Sequence, residues 1–219
     1  MLEPVRDHIG AVSRRLSVRR HRGREAKVVA LSQTDDADIA DVWDAYTSPG
    51  RIPRWFLPVT GVFEVGGRYQ LEGNAGGEIL DCEPPQQLTI TWEYAGDVSW
   101  VELRLSELAD GRTRLDLEHV AHVDDERWEQ FGPGAVGVGW DLALLGLDTT
   151  HMSGAAPVDP QQAMGWQTSD EGRRFMARSS EQWGQASIRA GTTEGAAVGA
   201  AARTTAAYTG SDPAAEPTG

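Results

Sequence analysis

The order of hydrophobic and polar residues changes period several times along this chain, and each change predicts an element. "REAKVVALSQ" (24–33) is β-branched and apolar enough for a strand. "TDDADIADVWDAY" then shifts to helical spacing: Ile39, Val42, Trp43 and Tyr46 form a stripe, Thr34 is the expected cap, and Asp35, Asp36 and Asp38 suit the positive end. "TSPGRIPRWF" reads as a turn or short helix whose Ile52, Trp55 and Phe56 close one end of a core. From residue 59 the period falls to two. Val59, Gly61, Phe63 and Val65 share a face, Tyr69 and Leu71 resume it after a Gly-Gly turn, and "EILDC" follows a second turn. Leu88, Ile90 and Trp92 then alternate with Thr89, Thr91 and Glu93; Val101, Leu103 and Leu105 with Trp100, Glu102 and Arg104; and Leu115, Leu117 and His119 with Arg114, Asp116 and Glu118. Such alternation predicts an antiparallel sheet with one wet face and one covered face.

The cover is predicted at residues 131 to 150. In "FGPGAVGVGWDLALLGL", Val136, Trp140, Leu144 and Leu147 recur at helical spacing, and Val138, Leu142 and Leu145 widen the apolar arc. Five glycines interrupt it. Interior glycines weaken a helix by roughly 0.5–1 kcal/mol each relative to alanine. Gly137 and Gly139 are therefore expected to permit close approach to the sheet, or room beside a cavity, with Trp140 facing inward. Four segments follow from this reading: a basic leader over 1–23, the sheet-and-helix domain over 24–150, a linker and helical extension over 151–203, and a flexible tail over 204–219. The extension carries Phe175, Met176, Ser179 and Trp183 at amphipathic spacing, which suits either cover for its own domain or a homodimer contact.

Four stretches in order, "VWDAYTSPGRIPRWF", "FEVGGRYQL" with "GGEILDCEPPQQLTITW", "TRLDLEHV" and "GWDLALLGL", resemble the START-like (SRPBCC) superfamily. More narrowly they resemble its bacterial branch named for the activator of the heat-shock-protein-90 ATPase. The resemblance spans about residues 24 to 150. It implies an α+β helix-grip fold, a curved antiparallel sheet wrapped around a long C-terminal helix, with a hydrophobic pocket between the two. It implies no particular reaction. Chaperone activation is tied to an additional N-terminal domain in the eukaryotic proteins, and 23 residues before the first expected strand are too few for one.

Charge narrows the partners. The 219 residues carry 20 basic and 33 acidic side chains, a formal charge of −13, which disfavours nucleic acid and anionic membranes. Six arginines between Arg14 and Arg24 make one basic run, expected as solvated leader. Val5, Ile9, Val12 and Leu16 suit a short helix, not a secretory signal, and Asp141 interrupts a 131–147 stretch already too short to span a membrane. The single cysteine, Cys82, is read as structural, and a cytoplasmic location is expected.

Candidate chemistry lies on the covered face. Phe63, Tyr69, Trp92, Leu103, His119 and Trp140 are predicted to point toward the layer interface, an apolar lining with a few polar handles. His119 can be read as a core histidine, a ligand contact or a general base, but nearby residues supply no acid-base partner, so no catalytic residue is assigned. "HVAH" (119–122) lacks the helix and glutamate of a zinc-protease motif, and no metal or cofactor is expected. "GPGAVG" lacks the lysine and hydroxyl of a phosphate loop. The reading is a protein that binds a hydrophobic, lipid-like small molecule. The alternatives are a cyclase, dehydratase or hydrolase using the same pocket, with His119 or Tyr69 moving a proton, and a protein-interaction module acting through the extension.

Overall fold

The computed structural model describes residues 8–148 and 160–211. Eight strands form one antiparallel sheet: β1 (Ser13–His21), β2 (Arg24–Asp35), β3 (Val59–Gly61), β4 (Arg68–Leu71), β5 (Gly76–Glu83), β6 (Gln87–Tyr94), β7 (Asp97–Glu107) and β8 (Thr113–Ala121), in the order β1-β2-β8-β7-β6-β5-β4-β3. The register sets rows across it. One concave row runs Val29, His119, Val101, Ile90, Ile79, and the next Leu31, Leu117, Leu103, Leu88, Cys82. These are the apolar halves of the alternations, so the covered face of the sheet is the α+β helix-grip face.

Two expectations at the start of the chain are corrected. From Ser13 on, the basic run is no solvated leader but edge strand β1, paired with β2 over nine residues. Its charges stay in the sheet because they are answered there. Arg15 and Arg19 stand opposite Ala30 and Ala26 of β2, and across those small side chains they reach Glu118 of β8 and, for Arg19, Glu102 of β7. Arg14 points the other way and is buried. Ile9 and Val12, just before the strand, join the main core. The second correction concerns Thr34, which lies inside β2 opposite Arg114. The cap of helix α1 (Ile39–Thr47) is Asp38, whose side chain accepts from the Asp41 amide at 3.0 Å.

The covering stretch is two helices, α2 (Asp125–Phe131) and α3 (Gly134–Leu147), broken where Gly132 adopts φ +58° and Pro133 lacks an N–H. Three more follow: α4 (Pro160–Thr168), α5 (Asp170–Arg189) and α6 (Glu194–Thr209). α4 thus starts within the expected linker. Residues 204–209, expected as tail, are helical, and Thr204 is buried with its hydroxyl on the Phe131 carbonyl. The rest of the expected linker (151–159), the last two residues of the expected covering helix (149–150), the first seven of the expected leader and the end of the tail (212–219) lie outside the described residues.

The glycines of α3 serve the extension more than the sheet. A Cβ on Gly137 would fall inside the indole of Trp183 from α5, and one on Gly146 would fall on the backbone carbonyl of Trp55. Helix α3 is therefore enclosed on two sides, which is why its apolar arc runs nearly all round. Phe175, Met176 and Trp183 are all fully buried in the main core. The apolar stripe of the extension is covered by its own domain.

At the centre of that contact sits Asp141, fully buried on α3. Arg14 of β1 grips it with Nε to Oδ2 and Nη2 to Oδ1, both at 3.0 Å; Ser179 donates at 2.5 Å and Trp183 Nε1 at 3.1 Å, both from α5. The remaining arginine nitrogen donates to the carbonyls of Ile9 and Val12. A buried carboxylate is tolerated only when its lone pairs are answered in this way. One side chain thus ties the first strand to the covering helix and the C-terminal extension.

Candidate functional site

Of the six predicted lining residues, the structure brings Trp92, His119 and Trp140 together. Their rings lie 5.2 Å (Trp92 to Trp140), 6.0 Å (His119 to Trp140) and 6.2 Å (Trp92 to His119) apart. Trp140 Nε1 can only donate, and it donates to His119 Nδ1 at 3.0 Å, so the imidazole proton is on Nε2. Nε2 meets Ser99 Oγ at 2.8 Å, and Ser99 Oγ donates to the Trp92 carbonyl at 3.1 Å. The chain of donors closes on the backbone and leaves neither ring nitrogen free.

Burial pushes the His119 imidazolium pKa down to about 4. The histidine is neutral at pH 7, hydrogen-bonded to Trp140 and in ring contact with both tryptophans. The sign for stability follows. The folded state takes up this proton less readily than the unfolded chain does, so His119's contribution is complete above pH 6.5 and is lost as pH falls toward 4. We expect the stability gap between wild type and His119→Leu, measured by urea unfolding, to shrink by ~3 kcal/mol between pH 7 and pH 4. A gap that stays constant would show that burial does not hold this imidazole neutral.

The other three predicted residues go elsewhere or serve differently. Leu103 is buried in the main core under the helix. Tyr69 is buried near Trp92, but its hydroxyl donates to the Thr91 carbonyl at 2.8 Å, and burial raises its pKa beyond any use as an acid near neutrality. Phe63 is 40% exposed. The expectation that it faced inward fails because β3 ends at Gly61, where φ is +138°, and beyond that point alternation no longer dictates which way a side chain points. The two histidines of "HVAH" part company. His119 joins the concave relay, while His122 Nδ1 donates to the Glu25 carbonyl at 2.9 Å and its ring packs against Trp100 and His21. Ser99, unremarked in the sequence, is the residue that orients His119; its signal was its register opposite Trp92.

A step in burial crosses the concave face. On β7, Val101, Leu103 and Leu105 are 4%, 4% and 3% exposed. One strand over, Leu88 and Ile90, the row partners of Leu103 and Val101, are only partly covered, as are Trp92 further along β6 and Phe56, Leu57 and Val59 around them. Trp140 and Leu142, on the helix, are partly covered as well. The result is an apolar wing of the sheet beside α3, walled at one end by the Trp92, His119, Trp140 set. A separate hollow of about 500 Å³ lies between α2, the start of α3, α5 and α6, and shares none of the six predicted residues. Several of its polar groups are already engaged: Arg203 donates to the carbonyls of Gln130 and Glu129, and Ser187 bonds Thr192.

Known proteins can be set against this geometry. A family model described as "Activator of Hsp90 ATPase homolog 1-like protein" matches residues 36–151. The crystal structure of CalU16 from Micromonospora echinospora is 37% identical, covering 80% of this chain and 98% of that one with a TM-score of 0.62; its solution structure gives 37%, 83%, 97% and 0.65. PFC0360w, an HSP90 activator from Plasmodium falciparum, is 18% identical over 59% of this chain and 97% of its own at a TM-score of 0.50, a likeness of fold alone. No curated protein matches. Family model, CalU16 and the helix-grip sheet agree: the chain belongs to the family of Activator of Hsp90 ATPase homolog 1-like proteins, within the START-like superfamily.

Proposed function

We propose that this protein binds an uncharged, largely apolar organic molecule, lipid-like in its surface, on the concave wing formed by Leu88, Ile90, Trp92, Trp140 and Phe56. The observation that carries the reading is the step in burial between β7 and β6. Apolar side chains left half-covered in a continuous patch mark a surface that gains by being occupied. The chemistry of the ligand follows from what the wall lacks. His119, Ser99, Tyr69 and Trp140 have their hydrogen-bonding groups engaged within the protein, so the wall offers shape and rings rather than charge. For the same reason the reading favours binding over proton transfer by His119 or Tyr69. The extension, with its apolar stripe already buried, supports cover of its own domain over a partner-binding role. No described helix is long and apolar enough to cross a membrane.

The test is calorimetry and native mass spectrometry of wild type, Trp92→Ala and Phe63→Ser against fatty acids, polycyclic aromatics and polyketide-like compounds. Wild type and Phe63→Ser should bind at least one class saturably and alike. Trp92→Ala should bind roughly tenfold more weakly, equivalent to about 1.4 kcal/mol. Folded wild type that binds no class, or Trp92→Ala that binds as well as wild type, would remove the basis of the proposal.

A further inference from the structure

At the other end of α3 from Trp140, a second group of buried polar side chains has no part in the site above. Gln33 and Asp35 come from the end of β2, Tyr46 from α1, Asp148 from the C-terminal cap of α3, and His8 from the segment before β1. One amide joins the two acids: Gln33 Nε2 donates to Asp35 Oδ1 at 2.8 Å and to Asp148 Oδ1 at 3.3 Å. On the far side, Asp148 Oδ2 meets His8 Nδ1 at 2.5 Å. Three stretches of chain distant in sequence are thus held by these hydrogen bonds, with Tyr46 of α1 beside the two acids.

The group is incompletely satisfied. Among the described residues, six buried side-chain polar atoms have no hydrogen-bond partner, and three of them, Asp35 Oδ2, Tyr46 Oη and His8 Nε2, belong here. Unanswered polar atoms in a dry site are costly, and two carboxylates on one amide repel each other when both are ionised. The charged or titratable groups that act on Asp35 are Asp148 and His8, and Tyr46 feels both acids. From β8, the residue paired with Asp35 is Thr113, which is neutral and donates to the Ala37 carbonyl.

We propose that His8, Gln33, Asp35, Tyr46 and Asp148 form a proton-set clasp. With a proton on Asp35, it fastens the segment at residue 8 and the C-terminal end of α3 to β2; with Asp35 ionised, that end of the fold opens more readily. The protonated acid is neutral, and its carboxyl gains an O–H donor that the ionised carboxylate lacks. Loss of the proton puts a second negative charge against Asp148 with His8 as the one facing imidazole. Burial and Asp148 raise the Asp35 pKa from 3.8 to about 6, and the Gln33 hydrogen bond and His8 only partly oppose this. A raised carboxyl pKa means that the closed form holds the proton longer than the open form. Opening therefore becomes easier as pH rises from about 4 to 6 and then levels off. This is opposite in sign to the His119 effect over nearly the same interval, so the two are separable by where in the chain they act.

Hydrogen exchange of the full chain, corrected for the intrinsic pH dependence of exchange, tests the clasp. Peptides covering residues 8–12, 33–36 and 142–148 should open roughly tenfold more often for each pH unit between 4 and 6, and no further above pH 6. Asp35→Asn should hold those peptides at one level of protection at every pH. Should that variant not fold, carboxyl-carbon NMR of the wild type decides instead: one aspartate should titrate near pH 6, with the amides of Tyr46 and Asp148 shifting at the same midpoint. Protection in wild type that does not vary with pH at these peptides, a pH response that survives in folded Asp35→Asn, or an Asp35 midpoint near 4 would overturn the proposal.

Discussion

Replacing Asp141 with alanine should lower the unfolding free energy by about 3–5 kcal/mol, as expected when one partner of a buried ion pair is removed. The loss is large because several groups are stranded together. Arg14 would be left as a buried cation holding only the carbonyls of Ile9 and Val12, and Ser179 and the Trp183 indole would lose their shared acceptor. The effect should be shared by regions far apart in sequence, since β1 and α5 both end on this carboxylate. Urea unfolding measures the size, and limited proteolysis measures the spread: both the N-terminal strand and the α5–α6 extension should become cleavable. The paired replacement Arg14→Met with Asp141→Leu should cost clearly less than Asp141→Ala, because it removes the unpaired charge along with the pair. An Asp141→Ala protein within about 1 kcal/mol of wild type would show that the network is not what holds these elements together.

Gly137→Ala should also destabilise, against the trend of helix propensity. Alanine in a helix interior is ordinarily favoured over glycine by about 1 kcal/mol. Here the added methyl would overlap Cε2, Nε1 and Cδ2 of Trp183, a side chain with no exposed surface and nowhere to retreat. Overpacking of this kind costs about 1–3 kcal/mol, and the indole would also be pushed from its hydrogen bond to Asp141. Gly139→Ala, two residues on, is the control. Its new methyl would stand 3.3 Å from the Tyr208 hydroxyl, the far end of a partly exposed side chain that can shift by the few tenths of an ångström required, so that variant should match wild type in thermal unfolding. In a Trp183→Ala background the Gly137→Ala penalty should vanish, since the space is then empty. A penalty unchanged in that background would place its cause somewhere other than the α3 to α5 contact.

These two sites show how far the sequence could be read. Strict alternation in 88–92, 101–105 and 115–119 reports a sheet with one buried face, because side chains on a pleated strand can point only two ways. It therefore located His119, Leu103 and Trp92 on one surface before any fold was known. The covering helix, expected over 131–150 and found at 134–147, was legible in its apolar arc but not in its start, which Gly132 and Pro133 set. Where the pleat ended, so did the inference. Phe63 lies two residues past Gly61, and its outward direction depends on backbone torsions that the glycines make permissive.

Local pattern by itself determined the alternating strands and the apolar covering helix, and it put Trp92, His119 and Trp140 each on a covered face, because each of these rests on a short-range period. Tertiary structure alone decided what answers a charge or fills a gap. A run of arginines has the same sequence whether it meets water or, as here, Glu118, Glu102 and Asp141 from strands and a helix about a hundred residues away. The glycines of α3 were visibly a place for close approach, yet only the folded chain shows that Trp183 arrives at Gly137 and the Trp55 backbone at Gly146. Asp35 and Asp148 each look like ordinary residues at the edge of an element. Their shared amide exists only once β2 and the end of α3 are brought together. Pairing between distant residues depends on the packing of the whole chain, which no local period encodes.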